Sequence, residues 1–531
     1  AMTMRGLERG YVGPFAGIDV PWLVDLRART RRDHPFLIWE PFEGPGETLS
    51  YGAFHHRVGR LAAGLARRGL GPGDFLLVHL DNCLETILAW HAAATLGAVA
   101  VTTNTRSSPD ELGYFAEHCG AVAAITQPAY AELVNAACRH IKWLAVTAHD
   151  AGAPPRAGRG PDRASSFESL LADADGLPRR APAPMAPVGV QYTSGTTARP
   201  KGVVWTHANA LWGAKVNAAH EDLRPEDVHL VYLPLFHTNA QAYSVLATLW
   251  AGASAVIQPR FSASRFWDVA ARHRCSWTST IPFCTRALLE RERPKHHSFR
   301  LWGSAVSAPP SDALLGVRTI GWWGMTETIS HGIVGEVSQP SPPLSIGRAA
   351  AEYEIRILGA DGAPVSPGET GELAIRGIPG VSLFKEYLNN PQATAESYDE
   401  EGFFRTGDRV GLLEDGFIKF ADRSKDMLKV GGENVAASEI EQAILSLPEV
   451  AEVAVVGKRH KMLDEVPVAF ILPRGGREAA PPDLAERVLA ACRGKLASFK
   501  VPQEVRLVDA LPRSTLETVS YTHLRAHETG R

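Results

Sequence analysis

The 531-residue sequence predicts an α/β fold with a large N-terminal lobe of several subdomains and a small α+β C-terminal domain. Between residues 51 and 125, helical patterns alternate with short apolar strands, which predicts parallel βαβ sheets covered by helices. A region of short antiparallel strands follows near residues 355–377. Beyond Asp422 the pattern changes to a compact unit. We therefore predict one domain over residues 1–421 and a second over 422–531.

The alternation begins with apolar residues at helical spacing over residues 51–70, followed by the strand-like segment Phe75–His79. A second helix, Leu84–Leu96, leads into a strand at 98–101. A third helix and strand follow between residues 109 and 125. Helix-to-strand steps of this kind place strands side by side in one parallel sheet.

The C-terminal unit has its own pattern of helices and strands. Helical spacing recurs at 438–447 and 484–496, and strand patterns occur at 450–456, 466–472 and 505–508. This mixture predicts a small α+β domain.

Composition excludes several classes of protein. The formal charge is −3, the pI is about 6.7 and no basic block stands out, which argues against a nucleic-acid partner. Six scattered cysteines without CxxC spacing are typical of reduced thiols, as in the cytoplasm. The longest apolar stretch, 86–101, is interrupted by His91 and Gly97, so we expect no membrane span.

One run of small, hydroxyl-bearing and glycine residues is the strongest local signal, Tyr192-Thr-Ser-Gly-Thr-Thr-Ala-Arg-Pro-Lys-Gly202. Such residues let backbone N–H and side-chain O–H groups surround phosphate oxygens, and Lys201 adds positive charge. The run lacks the Gly-Lys-Ser/Thr triplet at the spacing of a nucleotide-hydrolase P-loop. We interpret it as a phosphate loop, against the alternative of a polar surface turn.

This run resembles the signature loop of the adenylate-forming superfamily, which contains acyl-CoA synthetases, peptide-synthetase adenylation domains and luciferases. Further segments follow in that family's order, and the resemblance covers about residues 51–513. It implies that Lys201 and the loop hold the ATP phosphates. The loop residues are Tyr192, Thr193, Ser194, Gly195, Thr196 and Thr197.

Two more segments match the family's ATP site. In Gly321-Trp-Trp-Gly-Met-Thr-Glu-Thr328, the resemblance implies that Trp323 stacks by adenine, Thr326 meets the α-phosphate and Glu327 binds Mg²⁺. A carboxylate beside polyphosphate is physically sensible only with a cation between them. The remaining residues implied here are Gly324, Met325, Ser304 and Ala305 around the nucleotide and Thr196 as a second metal ligand.

The resemblance also assigns residues to the ribose of ATP, to the hinge and to the carboxylate of the acid. Asp408, in Phe404-Arg-Thr-Gly-Asp408, would accept hydrogen bonds from the ribose diol, although Thr-Gly-Asp alone is a common turn. His237, in Pro234-Leu-Phe-His237, would border the carboxylate. The segment 422–434 would form a mobile hinge and the coenzyme A channel. Its implied contributors are Arg423, Lys425 at the hinge, Lys429, Gly431 and Gly432.

Within the superfamily, several details look most like the carnitine/crotonobetaine-CoA ligase branch, which suggests free coenzyme A as acceptor. They include Phe384-Lys-Glu-Tyr-Leu and Gly431-Gly-Glu-Asn-Val. The branch does not fix the acid, because pocket residues vary independently of the scaffold. Candidate pocket walls, for each of which core packing is an equal alternative, are Gln241, Tyr243, Trp277 and Phe283.

Thr518 stands where the family has a lysine that contacts the acid carboxylate and the α-phosphate. The final run, 519–531, has little amphipathic pattern and resembles a translated sequencing adapter, so we expect it to be disordered and artefactual. Under this hypothesis the native residue at 518 is lysine. The competing hypothesis is a natural ligase that has lost adenylation and uses preformed acyl-adenylates.

The predicted enzyme is therefore a cytoplasmic, ATP-dependent, AMP-forming acyl-CoA ligase with impaired adenylation. Its expected partners are a small carboxylic acid or its acyl-adenylate, ATP/AMP, Mg²⁺ and coenzyme A, and the reading leaves room for a homodimer. The open alternatives are a stand-alone adenylation domain that loads a carrier protein and a non-catalytic acyl-adenylate binder.

Overall fold

The computed structural model describes residues 13–151, 153, 161–177, 180–193, 199–423 and 427–512. Within these ranges the chain forms four sheets. Three of them belong to the large lobe and the fourth to the C-terminal domain, as the sequence predicts. The exact boundary between residues 421 and 422 stays a prediction.

One large sheet contains the strands predicted from the alternation. Phe75–His79 pairs in parallel with Val99–Thr102 and with Ala121–Thr126, which confirms the parallel βαβ arrangement. In spatial order the strands are Glu386–Tyr387, Lys201–Thr206, Pro187–Thr193, Val99–Thr102, Phe75–His79, Ala121–Thr126, Trp143–Val146 and Ala164–Ser166.

The second large sheet is parallel in its middle and antiparallel at both ends. Its central strands are nearly completely buried, as expected when helices cover both faces. In spatial order the strands are Arg348–Ala349, Ile333–Val334, Thr319–Trp323, Leu301–Ser304, Trp277–Ser279, Val228–Val231, Ser254–Ile257, Pro35–Trp39 and Glu47–Ser50.

A smaller antiparallel sheet follows, in the order Glu354–Leu358, Thr370–Arg376, Phe404–Leu412 and Ile418–Arg423. The first two of these strands are the antiparallel pair that the sequence predicts.

The C-terminal sheet is mixed, and its buried residues form a core of their own. Met427–Val430 and Glu433–Ala436 form a hairpin at one edge, and Glu504–Leu507 adds in parallel to Asp464–Pro473. Apart from Glu504–Leu507, the strands lie in the spatial order Glu433–Ala436, Met427–Val430, Asp464–Pro473 and Val450–His460.

The helices cover the sheets and start at sequence-encoded caps. Ser108 and Glu111 form a reciprocal capping box at the start of Pro109–Cys119, and Gly97 ends Leu84–Leu96 in a left-handed conformation. The α-helices are Val20–Thr30, Tyr51–Arg67, Leu84–Leu96, Pro109–Cys119, Ala131–Ala137, His207–His220, Ala247–Ala251, Phe266–Arg272, Pro282–Leu289, Ser311–Leu315, Pro391–Glu396, Ala437–Leu445 and Leu484–Lys495.

A π-helix, Asn239–Leu246, follows the predicted acid-binding segment. Such π-helical turns are rare and often occur at functional sites. Among the residues described, no helix is both long and apolar enough to cross a bilayer. The six cysteines are buried and unpaired with one another, as expected for reduced thiols.

Candidate active site

A cleft of about 1410 Å³ opens where the large lobe meets the C-terminal domain. Its walls come from strand ends of both large sheets, from the antiparallel sheet and from the hairpin turn of the C-terminal domain. Most of the predicted site residues that the structure describes meet here. They are Tyr192, Thr193, Lys201, His237, Ala305, Trp323, Gly324, Met325, Thr326, Glu327, Asp408, Lys429, Gly431 and Gly432.

Other predicted residues are not among these cleft residues. Ser304 is buried at the end of its strand, directly before the cleft-lining Ala305. The predicted roles of the remaining residues stay predictions. Outside the described residues lie Ser194, Gly195, Thr196 and Thr197 of the phosphate loop, Lys425 at the hinge, Thr518 and the side chain of Arg423.

Lys201 and Glu327 are linked through Tyr387. The Lys201 ammonium lies 4.6 Å from the centre of the Tyr387 ring, and the Tyr387 hydroxyl donates to Glu327 Oε1 at 2.8 Å. Glu327 is 4% exposed. Burial raises the pKa of Glu327, and the hydrogen bond from Tyr387 and the charge of Lys201 offset this only in part. The carboxylate therefore gains from a further cation at this position.

The buried Glu327 carboxylate is suited to Mg²⁺. In the described part of the chain, no group of three or more His, Cys, Asp or Glu side chains is arranged to hold a metal by itself. Mg²⁺ is commonly bound by one or two carboxylates together with substrate phosphates and water. Glu327 is therefore a suitable protein ligand for an ion that arrives with ATP.

Trp323 and Asp408 form a second pair, at the place that the resemblance assigns to the nucleotide. Trp323 ends the strand Thr319–Trp323, and its indole N–H donates to Asp408 Oδ2 at 2.8 Å. Both residues are buried. The hydrogen bond fixes the carboxylate beside the indole, an arrangement that suits a ribose diol next to an aromatic base.

A buried polar chain positions Thr326. The Thr238 hydroxyl lies 2.9 Å from Gln191 Oε1 and 3.2 Å from Thr326 Oγ1. Gln191 in turn donates to Gln241 Oε1 at 2.7 Å, and the Trp205 indole donates to the Thr326 carbonyl at 2.9 Å. Gln241, a candidate pocket wall, is thus a buried member of this series of hydrogen bonds. These contacts restrict the Thr326 hydroxyl to one region of the cleft.

His237 makes its polar contact with the other domain. Its Nε2 lies 2.8 Å from Glu433 Oε2, and the Arg106 guanidinium lies 2.8 Å from Glu433 Oε1. Burial alone would raise the pKa of Glu433, but His237 and Arg106 outweigh it and lower the pKa to about 2. Glu433 is therefore a carboxylate held between His237 and Arg106, which both belong to the large lobe. This contact connects the hairpin of the C-terminal domain to His237.

The turn directly before Glu433 is a two-glycine hairpin. Gly431 and Gly432 have φ values of +58° and +89°, a conformation that glycine adopts without strain. A Cβ on Gly432 would lie 2.6 Å from Ile281 Cδ1 of the large lobe. The absence of a side chain at Gly432 thus lets Ile281 of the large lobe pack close to the backbone of the turn, which borders the cleft.

Aromatic rings form the apolar wall of the cleft. The Trp322 ring packs against Gly303, where a Cβ would come within 1.8 Å of it, and Tyr243 packs edge-on against Trp322. Trp277, a candidate wall residue, is fully buried against Trp322. The aromatic wall consists of Tyr232, Phe236, Tyr243, Phe261, Phe283 and Trp322.

Three cleft residues with central contacts had no assigned role in the sequence. Glu433 directly follows the two glycines, and Tyr387 belongs to the Phe384-Lys-Glu-Tyr-Leu segment, so both lie in segments that carry the family resemblance. A closer reading of those segments could have found them. Arg106 gave no such signal, because a lone arginine in a polar turn is ordinary.

Comparison with known proteins agrees with this geometry. The family model of the AMP-binding enzyme matches residues 24–388, and the AMP-binding enzyme C-terminal domain matches residues 439–516. The chain belongs to the AMP-binding enzyme family. The predicted class, an ATP-dependent and AMP-forming acid–thiol ligase that works with ATP, Mg²⁺ and coenzyme A, is confirmed at the level of the family.

Individual relatives give a finer comparison. A crotonobetaine/carnitine–CoA ligase of Escherichia coli O7:K1 (strain IAI39 / ExPEC) is 33% identical over 90% of this chain and 93% of its own, which confirms the resemblance to that branch. An o-succinylbenzoate CoA synthetase double mutant from Bacillus subtilis, bound with its product analogue OSB-NCoA, is 26% identical with a TM-score of 0.82, covering 95% and 98%. ATP-bound MatB from Rhodopseudomonas palustris is 25% identical with a TM-score of 0.67, also covering 95% and 98%.

Proposed function

We propose that this chain joins a carboxylic acid to coenzyme A in two steps. A carboxylate oxygen attacks the α-phosphorus of ATP and pyrophosphate leaves; the thiolate of coenzyme A then attacks the acyl carbonyl and AMP leaves. The observation that carries the proposal is the shared cleft, in which Lys201, Glu327 and Asp408 face the two-glycine turn of the C-terminal domain.

In the first step the large lobe acts on the nucleotide. Lys201 and the loop hydroxyls of Ser194, Thr196 and Thr197 steady the outer phosphates, and Thr326 orients the α-phosphate. Asp408 accepts from the ribose beside Trp323. Glu327, with Thr196, would hold Mg²⁺, which neutralises phosphate charge. Positioning and charge stabilisation account for catalysis of such in-line transfers.

The second step uses another orientation of the C-terminal domain, reached by rotation near Lys425. Two observations support this assignment. Gly431 and Gly432 reach the cleft, and Glu433 meets His237 across the interface. At similar identity and equal coverage, the fold is also closer to the relative bound with a product analogue than to ATP-bound MatB. We therefore assign the described orientation to thioester formation.

Thr518 should affect the two steps differently. A lysine there would place a cation at the α-phosphate during adenylation, and a threonine cannot. Losing one preorganised charge-stabilising contact commonly costs a factor of about 10²–10³ in rate. We therefore propose impaired adenylation and largely preserved thioester formation. A natural ligase for preformed acyl-adenylates is the second candidate, and Thr518 is the observation that favours it.

The aromatic wall suits two types of substrate acid. Aromatic rings pack well against an apolar or ring-bearing acid, and they also attract a quaternary ammonium through cation–π contacts. Two acids of nearly the same shape distinguish these possibilities: crotonobetaine, and its carbon isostere 5,5-dimethylhex-2-enoate, which has a tert-butyl group in place of the trimethylammonium group. Preference for the isostere indicates an apolar substrate, and preference for crotonobetaine indicates a substrate with a quaternary ammonium.

The decisive experiment measures AMP and acyl-CoA formation for this chain and for Thr518→Lys. Each protein receives a panel of acids with ATP, and separately the matching synthetic acyl-adenylates, with either coenzyme A or a phosphopantetheinylated carrier protein. We expect supplied adenylates to react in both proteins and lysine to restore use of ATP. Thioester formation on the carrier protein alone would mean that the carrier, and not coenzyme A, is the acceptor. Absence of thioester both with ATP and with supplied adenylates would contradict the ligase proposal.

A further inference from the structure

A lysine of the C-terminal domain lies between two carboxylates at the domain interface. Lys500 Nζ donates to Glu439 Oε1 of its own domain at 2.8 Å and also to Glu111 Oε1 of the large lobe. The three side chains are each 7% exposed. A buried cation with one partner in each domain links the two domains directly.

The charge balance of this trio depends on the lysine. Burial alone would lower the pKa of Lys500, but Glu439 and Glu111 outweigh it and the pKa lies above its ordinary value. Burial raises the pKa of Glu439, and Lys500 opposes that rise. Without the lysine, docking would bury Glu111 and Glu439 together as like charges, which is unfavourable.

The large lobe presents Glu111 in a fixed position. Glu111 Oε2 accepts from the Ser108 backbone N–H at 2.8 Å in the capping box of the helix Pro109–Cys119. The Ser108 hydroxyl donates to the Lys495 carbonyl of the C-terminal domain at 2.6 Å. The start of this helix is therefore a prepared docking surface for the C-terminal domain.

The same surface continues to the active site. The Arg106 guanidinium lies 4.3 Å from the centre of the Phe499 ring, next to Lys500 in sequence, and it also pairs with Glu433. Glu433 in turn contacts His237. A continuous set of interdomain contacts thus runs from Lys500 to the residues beside the two-glycine turn.

We propose that Lys500 is a positioning residue for thioester formation: held between Glu111 and Glu439, it keeps the C-terminal domain in the orientation in which the Gly431-Gly432 turn reaches the cleft. This inference rests on the proposed function. It adds that the choice between the two half-reactions is set by an ionic contact between the two domains.

The test separates the half-reactions of Lys500→Gln in the Thr518→Lys background. ATP–pyrophosphate exchange reports adenylation, and acyl-CoA formation from a supplied acyl-adenylate reports the second step. We expect kcat of the second step to fall at least about tenfold, with exchange unchanged or faster, because a buried ionic contact of one orientation is lost. Lys500→Arg should recover much of the loss.

Lys495→Gln is the matched control. It also removes a lysine charge from the C-terminal domain, but the Lys495 ammonium bonds Ser446 of the same domain. This variant should resemble the parent in both steps. Equal slowing of both steps by Lys500→Gln, or no slowing of either, would overturn the role of Lys500. Failure of the parent protein to form thioester from any adenylate would instead contradict the proposed function.

A second measurement needs no substrate. Hydrogen–deuterium exchange should accelerate in Lys500→Gln at the start of the helix Pro109–Cys119 and in the hairpin 427–436, with the interior of the large lobe unchanged. Glu111→Gln should have the same effect from the other side, and the double variant should add little to either single change. Unchanged hydrogen–deuterium exchange at both segments, or fully additive effects, would contradict the proposed role of Lys500.

Discussion

The two sides of the cleft are held together in different ways: the nucleotide side, which we assign to ATP around Glu327 and Asp408, and the coenzyme A side, which we assign around the Gly431-Gly432 turn. On the nucleotide side, Trp323 bonds Asp408 and Tyr387 bonds Glu327, and all four residues belong to the large lobe. On the coenzyme A side the contacts cross the interface, as in the pairs His237–Glu433 and Lys500–Glu111. Contacts of the first set lie within one domain, so a rotation of the C-terminal domain would leave them intact, whereas the same rotation would break contacts of the second set.

Under the proposed function, this difference would let one cleft serve two reactions. A preorganised nucleotide site would keep its geometry during a domain rotation, whereas contacts across the interface would form and break with each rotation. Substitutions on the nucleotide side should therefore affect adenylation most. Substitutions at the interface should affect thioester formation most.

Glu327→Gln should have the largest effect. It removes the carboxylate that suits Mg²⁺ and preserves the shape of the side chain. In the Thr518→Lys background we expect ATP–pyrophosphate exchange to fall by about 10²–10³, by analogy with loss of one charge-stabilising contact, and a smaller loss in turnover of supplied adenylate.

Glu396→Gln provides the control for that change, because Glu396 also lines the cleft but lies on an exposed helix end and bonds Gln392. It should leave exchange close to the parent value. Equal loss in the two half-reactions of Glu327→Gln would contradict the division of the cleft.

Glu433→Gln should produce the opposite pattern. It removes the charge that His237 and Arg106 share across the interface, so we expect thioester formation from supplied adenylate to slow by about 10- to 100-fold while exchange is retained. Glu465→Gln, a change at a neighbouring carboxylate within the C-terminal domain, is the control. A selective loss of exchange in Glu433→Gln would reverse the assignment of the two sides.

The same contact predicts an acid-sensitive domain orientation. The pKa of Glu433 is lowered to about 2 in this orientation, against an ordinary value of about 4.3. A lowered pKa stabilises the docked form above the ordinary value, and this is lost as pH falls from about 4 to about 2. By pH 3 the preference for docking should decrease by about twentyfold from its value at neutral pH. X-ray scattering should record an expansion over this range that Glu433→Gln lacks, with circular dichroism as the check on folding.

Much of the fold could be predicted because it is locally encoded. Helix Leu84–Leu96 and strand Phe75–His79 have the predicted bounds, since each is a largely apolar run and a terminal glycine ends the helix. The interface contacts could not be predicted. Lys500 and Glu111 lie 389 residues apart in sequence, and no periodicity reports that both are buried. Likewise, Trp277 and Tyr243 both occur in apolar segments, yet only Tyr243 lines the cleft.

Tyr387→Phe should have the smallest effect, and it tests whether the nucleotide side is truly preorganised. The change removes one hydrogen bond to the Glu327 carboxylate and keeps the ring beneath the Lys201 ammonium. A hydrogen bond to a charged group contributes about 1.5–3 kcal/mol, but Mg²⁺ would offset part of the loss in the loaded enzyme. We therefore expect the Mg²⁺ concentration needed for half-maximal exchange to change by about tenfold or less, with thioester formation from supplied adenylate unchanged. Tyr398→Phe alters another buried hydroxyl near Glu327 and serves as the control. A loss of thioester formation in Tyr387→Phe would mean that the nucleotide site does depend on domain orientation.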